Sequence, residues 1–140
     1  MKKVIILAAI VFIASVCRAQ TSKAFNWVAW EKVTPATKTE LKKIKADKDG
    51  TAYDNIIETL EERCEIEVAV LDMDGDGKME YAVGCEGSFC CGSLGCSLNV
   101  YTDGGKRQVN LIDDWRSVKP AKDGVVSSKG KLIRFETRRW

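Results

Sequence analysis

Four acidic side chains at regular spacing carry the clearest chemistry in this chain. Asp72, Asp74, Asp76 and Glu80 stand at the first, third, fifth and ninth positions of Asp72-Met73-Asp74-Gly75-Asp76-Gly77-Lys78-Met79-Glu80. Side chains at alternate positions of a tightly curled loop converge on one point, and Gly77 supplies the backbone freedom for the curl. Carboxylates gathered in this way repel one another unless a cation sits among them. The pattern suits a hard divalent cation that takes six to eight oxygens. Asp72, Asp74, Asp76 and Glu80 are expected to offer side-chain oxygens, and Lys78 its backbone carbonyl. The plainer alternative is an Asp/Gly-rich turn that binds nothing. Four acids in strict register with one glycine exceed what such a turn needs.

Cysteines form the second group. The 140-residue chain holds six, and Cys64, Cys85, Cys90, Cys91 and Cys96 lie beyond the N-terminal segment. Cysteine usage this dense in a short chain points to disulfides in an oxidising compartment. Five cysteines make at most two bridges and leave one thiol. Cys91–Cys96 would close a small glycine-containing loop. Cys64 and Cys85 would be diagonal neighbours on one sheet face, so that pair needs a bulge or strong twist and leaves Cys90 over. Cys64–Cys90 and Cys90–Cys96 stay open as alternatives. No C-x-x-C is present for thiol–disulfide catalysis, and with no His and no paired C-x-x-C motifs the chain lacks the usual zinc ligand sets.

The elements that must position these groups follow from periodicity. Ile66, Val68 and Val70 alternate with Glu65, Glu67 and Ala69, which reads as a strand entering the acidic loop. Tyr81, Val83 and Cys85 continue as a strand leaving it. If Val70 faces Tyr81, Val68 faces Val83 and Ile66 faces Cys85. Upstream, Thr51 and Asp54 have capping-box spacing, and Tyr53, Ile56, Ile57 and Leu60 form one apolar helical stripe. Thr37-Lys38-Thr39-Glu40 fits the start of a shorter helix that includes Leu41 and Ile44. Lys38, Lys42, Lys43, Lys45 and Lys48 make that segment basic, which reads as a solvated helix face in preference to a surface for an anionic partner. Phe25, Trp27 and Trp30 suit either a short strand or a helical turn, as core or sheet cover. Further strands are expected at 97–101, 107–112 and 131–137, with turns at Thr102-Asp103-Gly104-Gly105, Asp123-Gly124 and Lys129-Gly130. The expectation is one α+β domain over residues 20–140. Two N-terminal helices would pack on an antiparallel, mostly meander sheet of about four to five strands.

The acidic stretch resembles the calcium loops of dockerins, EF-hands and FG-GAP blades. An EF-hand needs a bidentate acid at the twelfth position, which here is Val83, and a helix before the loop. The D-x-D-x-D-G-x-x-[DE] loop of FG-GAP blades, set between two strands, is the closer likeness. It covers only about twenty residues, so it implies Ca²⁺ at Asp72, Asp74, Asp76, the Lys78 carbonyl and Glu80 and implies nothing about the fold. The order of acidic loop, strand, Cys91-Gly92-Ser93-Leu94-Gly95-Cys96 and strand is also similar to that of small uncharacterised exported bacterial proteins. That likeness implies an extracytoplasmic domain and brings no activity with it.

The N-terminus has the parts of a secretory signal. Lys2 and Lys3 precede the apolar run from Val4 to Val16, and Cys17-Arg18-Ala19 places cleavage after Ala19. The run is too short to span a bilayer. Anchoring through Cys17 as a lipoprotein is less favoured, because Val16 stands where that signal places a small residue. Removing residues 1–19 takes three of the 22 basic side chains and none of the 20 acids. The formal charge of +2 thereby becomes about −1, which gives no support for nucleic-acid binding.

Without His, a general base would have to be Asp, Glu or Lys, and a serine nucleophile lacks its usual partner. Asp113 and Asp114 are adjacent, so they suit a turn better than a carboxylate dyad. The expectation is a secreted or periplasmic, non-catalytic, calcium-stabilised domain that binds a protein or an envelope glycan. The alternative is an envelope hydrolase inhibitor or immunity-type protein in which the acidic loop is only a turn.

Overall fold

A computed structural model describes residues 23–140. The expected signal segment 1–19, with Cys17, lies outside the described residues. The longer helix, α2 (Ala52–Glu61), starts where its capping box places it. Thr51 Oγ1 accepts from Asp54 N at 3.2 Å, and the Asp54 carboxylate accepts from Thr51 N at 2.9 Å. Helix α1 (Pro35–Leu41) begins earlier than the sequence suggested. Thr34 is its N-cap, accepting from Thr37 N at 3.2 Å, and Pro35 occupies the first turn, where its missing N–H costs nothing.

The α+β expectation is corrected by the strands. The described chain is mostly β, with ten strands against two α-helices. Strand β1 (Val28–Ala29) precedes both helices, so they are not N-terminal elements. Strands β2 (Glu65–Leu71), β3 (Glu80–Glu86), β5 (Gly95–Thr102) and β6 (Arg107–Asp113) run antiparallel in chain order, and the two-residue β4 (Cys91–Gly92) folds onto β5. β1 adds to the free side of β2, and β10 (Glu136–Thr137) adds to β6, giving a seven-stranded sheet. Strands β7 (Lys119–Ala121), β8 (Gly124–Val126) and β9 (Leu132–Arg134) make a second sheet. The strands missed are two or three residues long, too short for a period-2 signal to stand out.

Both faces of the large sheet are covered. Ile66, Val68, Val83, Cys85 and Tyr101 point to one side, where Leu41, Ile44, Ala52 and Ile56 pack on them. Ala69, Ala82, Leu98, Val100 and Val109 point to the other, under Phe25, Trp115, Val118 and Val125. Each large apolar side chain buried this way contributes roughly 1.5–3 kcal/mol. The N-terminal aromatics divide between the layers, with Phe25 and Trp27 on the second-sheet side and Trp30 on the helix side. The basic residues around α1 cover rings or pair with acids: Lys38 lies over Trp30, Lys42 over Tyr53, and Lys43 bonds Glu40 at 2.6 Å.

One buried amide ties the helical layer to the sheet. Gln108 Nε2 donates to the carbonyls of Lys45 (2.9 Å), Ala46 (3.1 Å) and Gly105 (2.9 Å). Gln108→Leu keeps the volume and leaves these carbonyls short of their donor, so stability is expected to fall by about 1–3 kcal/mol. Urea melts check this, with a lower midpoint and an unchanged slope.

Candidate metal centre and sulfur cluster

The β2–β3 hairpin carries one candidate site at each end. Its register is Ile66↔Cys85, Val68↔Val83 and Val70↔Tyr81, as the alternation required. Leu71 therefore pairs with Glu80, and the residues between them form the loop.

Asp72 organises that loop. Its Oδ1 accepts from Gly75 N (2.7 Å) and Asp76 N (3.1 Å), and its Oδ2 accepts from Gly77 N (2.8 Å). Gly75 and Gly77 hold φ of 78° and 86°, left-handed values that a side chain would strain. The N–H of Gly77 first, and that of Gly75 with it, hold the Asp72 carboxyl below the usual range against its partial removal from water, and Lys23 adds to the effect. Lys23 Nζ bonds the Asp72 backbone carbonyl, not the carboxylate.

Glu80 is only 2 % exposed. Its Oε2 accepts from Met73 N at 2.6 Å, and its Oε1 from Thr102 Oγ1 at 3.2 Å. Burial pushes its carboxyl above the ordinary value, against those two bonds, and the charges of Asp74 and Asp76 push the same way. Met73 and Thr102 were not found by reading the loop alone. β3 pairs with β5 at Tyr81↔Tyr101, so Thr102 comes beside Glu80, but the sequence does not say which strand will be the neighbour of β3.

Asp72, Asp74 and Glu80 each bring a carboxylate oxygen within 4.8 Å of the others, and this group could hold a metal ion. The Asp76 carboxylate lies outside it. Asp76 Oδ1 accepts from Lys78 N at 2.8 Å, and both residues are exposed. The donors that converge are hard oxygens, as Ca²⁺ or Mg²⁺ requires. A buried carboxylate facing two others is also the arrangement in which a cation relieves most repulsion. The residues fit such an ion.

At the other end of the hairpin the disulfides are Cys85–Cys90, with Cα atoms 6.0 Å apart, and Cys91–Cys96, with Cα atoms 4.0 Å apart. The second matches the expectation and staples β4 to β5 at directly paired positions. The first replaces the expected Cys64–Cys85 pair, so among the described residues Cys64 is the free thiol and Cys90 is not. The turn at Gly87 explains the change. Cys90 N and Cys91 N both donate to the Gly87 carbonyl (3.2 and 2.9 Å), which curls the segment back and returns Cys90 to Cys85. Cys64 is 5 % exposed and its sulfur packs against Gly87, where a Cβ would come within 2.9 Å of it. The sulfurs of Cys64, Cys85 and Cys90 all lie within 4.8 Å of one another.

Asp113 and Asp114 do not make a dyad. The Asp113 carboxylate accepts from Ser128 N and Asp114 N (both 2.8 Å) and from Ser128 Oγ, whereas Asp114 Oδ2 accepts from Ser117 Oγ at 2.6 Å. No described helix is long and apolar enough to cross a membrane. Comparison with protein-family models, with curated proteins and with solved structures finds no match to this chain.

Proposed function

We propose that this chain is an extracytoplasmic, non-catalytic binding domain whose acidic hairpin carries Ca²⁺. The buried Glu80, set against Asp72 and Asp74, is the observation that carries this proposal. In it Asp72, Asp74 and Glu80 hold the ion, and Asp76 and the Lys78 carbonyl complete the oxygen set. The ion supplies charge neutralisation and fixes the hairpin; it takes part in no reaction. A weak extracellular-type site, with Kd about 10⁻⁴ to 10⁻³ M, would be filled outside a cell, which suits a constant structural ion. Two disulfides support an oxidising compartment. The absence of His supports a role other than general acid–base catalysis.

The binding surface in this proposal is the stapled tip between β3 and β5. From Gly87 to Thr102 the chain carries no charged side chain, although charged residues make up 30 % of the whole. Phe89 is 59 % and Leu94 80 % exposed there, with Ile112 beside them. An uncharged apolar tip favours a protein partner over an envelope glycan. The same tip, held rigid by its disulfides, gives the hydrolase-inhibitor or immunity-type alternative its own support.

Pull-down from envelope extract tests the proposal, using the parent and a Phe89→Ser, Leu94→Ser variant, each with and without chelator. The variant is expected to melt like the parent and to lose its partner, and chelation is expected to weaken capture. Capture of one hydrolase that ignores chelation would favour the inhibitor instead. Capture unchanged in the variant would remove the tip from the account.

A further inference from the structure

The hydrogen bonds, the ion site and the tip leave one buried reactive group unused, the Cys64 thiol. Its only polar contact among the described residues is the Glu62 carbonyl, 3.8 Å from its sulfur. A lone buried cysteine is ordinarily inert packing. This one has a disulfide against it, and the three sulfurs differ in access. Cys64 and Cys85 are each 5 % exposed, while Cys90 is partly exposed. Cys90 also lines a cleft of about 360 Å³ beside α2, together with Cys85, Asn55, Thr59, Phe89 and Ser97. The cluster therefore runs from a buried thiol away from the cleft to a disulfide in the cleft wall, of which Cys90 is the more exposed half.

The geometry points to a thiol–disulfide exchange site in which the bond migrates from Cys85–Cys90 to Cys64–Cys85 and delivers the thiol of Cys90 to the cleft. Cys64 sulfur, as thiolate, attacks the Cys85 sulfur. The Cys64–Cys85 bond forms as the Cys85–Cys90 bond breaks, the electron pair leaves on Cys90, and the proton lost by Cys64 is regained there. One disulfide and one thiol are present before and after, so no oxidant or reductant is consumed. The external substrate class is a disulfide presented at the cleft. Cys90 thiolate attacks one of its sulfurs, a mixed disulfide forms on Cys90, and the other half leaves as a thiol.

Several features serve this chemistry. Gly87 presents no side chain toward Cys64, where a Cβ would meet the sulfur at 2.9 Å. The second disulfide, Cys91–Cys96, pins the chain immediately after Cys90 to β5, so breaking the first bond does not release the tip. Ser97 N and Ser97 Oγ both donate to the Cys90 carbonyl, at 2.9 and 3.2 Å, and hold that residue at the cleft wall. The two isomers thus differ mainly in where the thiol is displayed. This inference does not rest on the cation.

The test uses the oxidised, folded protein. It is incubated with N-ethylmaleimide, or in a second arm with glutathione disulfide, then digested without reduction and mapped by mass spectrometry. Label or glutathionyl adduct is expected on Cys90, with Cys64–Cys85 bonded in the same molecules, and the rate should not depend on protein concentration. Cys64→Ala, checked for parental circular dichroism, is expected to lower labelling of Cys90 by more than about tenfold and to retain Cys85–Cys90. Label confined to Cys64, seen only on denaturation, overturns the inference. So does labelling of Cys90 that persists unchanged in Cys64→Ala. A Cys64→Ala chain that does not fold leaves the decision to the parent protein, where the site of labelling alone suffices.

Discussion

Replacing Glu80 with Gln will leave the calcium-free protein at least as stable as the parent and will abolish most of the stabilisation that calcium confers. The amide keeps a carbonyl oxygen for Met73 N, so the loop loses no essential hydrogen bond. What it loses is a charge that is costly to bury beside Asp72 and Asp74. In the parent, calcium about tenfold above its Kd should add about 1.4 kcal/mol, or roughly 5 °C in Tm for a domain of this size. In Glu80→Gln that shift should nearly vanish. If the loop is only a turn, calcium shifts neither protein, and thermal melts with calcium or chelator separate the two outcomes.

The same residues set a pH signature. Glu80 has a folded-state pKa above 4.5, so its contribution to stability is present below 4.5 and is lost as pH rises through the folded value. Asp72 is shifted the other way. Its contribution is present above 3.8 and is lost as pH falls through its depressed folded value. The calcium-free protein should therefore gain stability on mild acidification as Glu80 takes up its proton, then lose it in stronger acid. Glu80→Gln removes the gain and leaves the loss. Calcium removes the gain as well, by stabilising the ionised form near neutral pH.

Trp115→Ala should produce the largest loss of stability, about 3–5 kcal/mol. The indole is 2 % exposed, its Nε1 donates to the Cys85 carbonyl at 3.1 Å, and its ring lies 4.7 Å from that of Trp27. It sits directly over Gly84, where a Cβ would come 2.6 Å from ring carbons. Gly84 is therefore absent of a side chain because a ring occupies the space. Gly84→Ala in the parent should cost about 1–3 kcal/mol through overpacking. In the Trp115→Ala background the same substitution should cost far less, since the obstructing ring is gone. Denaturant melts of the four proteins measure this coupling. Equal costs in both backgrounds would mean that the ring is not the obstruction.

Trp115 also links the fold to the sulfur chemistry. Its bond to the Cys85 carbonyl holds the backbone of that residue from the second-sheet side, while the helical layer packs on the side chain from the other. The β2–β3 hairpin thus has a candidate ion site at one end and three sulfurs at the other. With about 3.4 Å per residue, the two ends are roughly 20 Å apart.

How much of this was legible depended on how far apart in the chain the deciding residues lie. Thr51, Asp54, Ile56 and Leu60 state α2 within one short window, because caps and stripes are interactions between near neighbours. The alternation from Ile66 to Val70 and from Tyr81 to Cys85, joined by a glycine-containing loop, sets the hairpin register the same way. Cys91 and Cys96 flank a tight turn and could be paired on local grounds. β4, β7 and β8 could not be read, because strands of two or three residues exist only by virtue of the neighbours they bond, and the strand expected at 131–137 divides into β9 and β10, which join different sheets. That is why a sheet of seven strands and a second sheet replaced a smaller one.

The acidic loop shows the same division. Its sequence alone established four carboxylates in register and the glycines that let the loop curl. The tertiary structure decided that the carboxylates of Asp72, Asp74 and Glu80 converge, and that Glu80 is buried under Thr102 of β5. It likewise decided that Cys64, and not Cys90, keeps its thiol. Spacing cannot settle such choices, since burial of a carboxylate and the partner of a sulfur depend on which distant strands become neighbours.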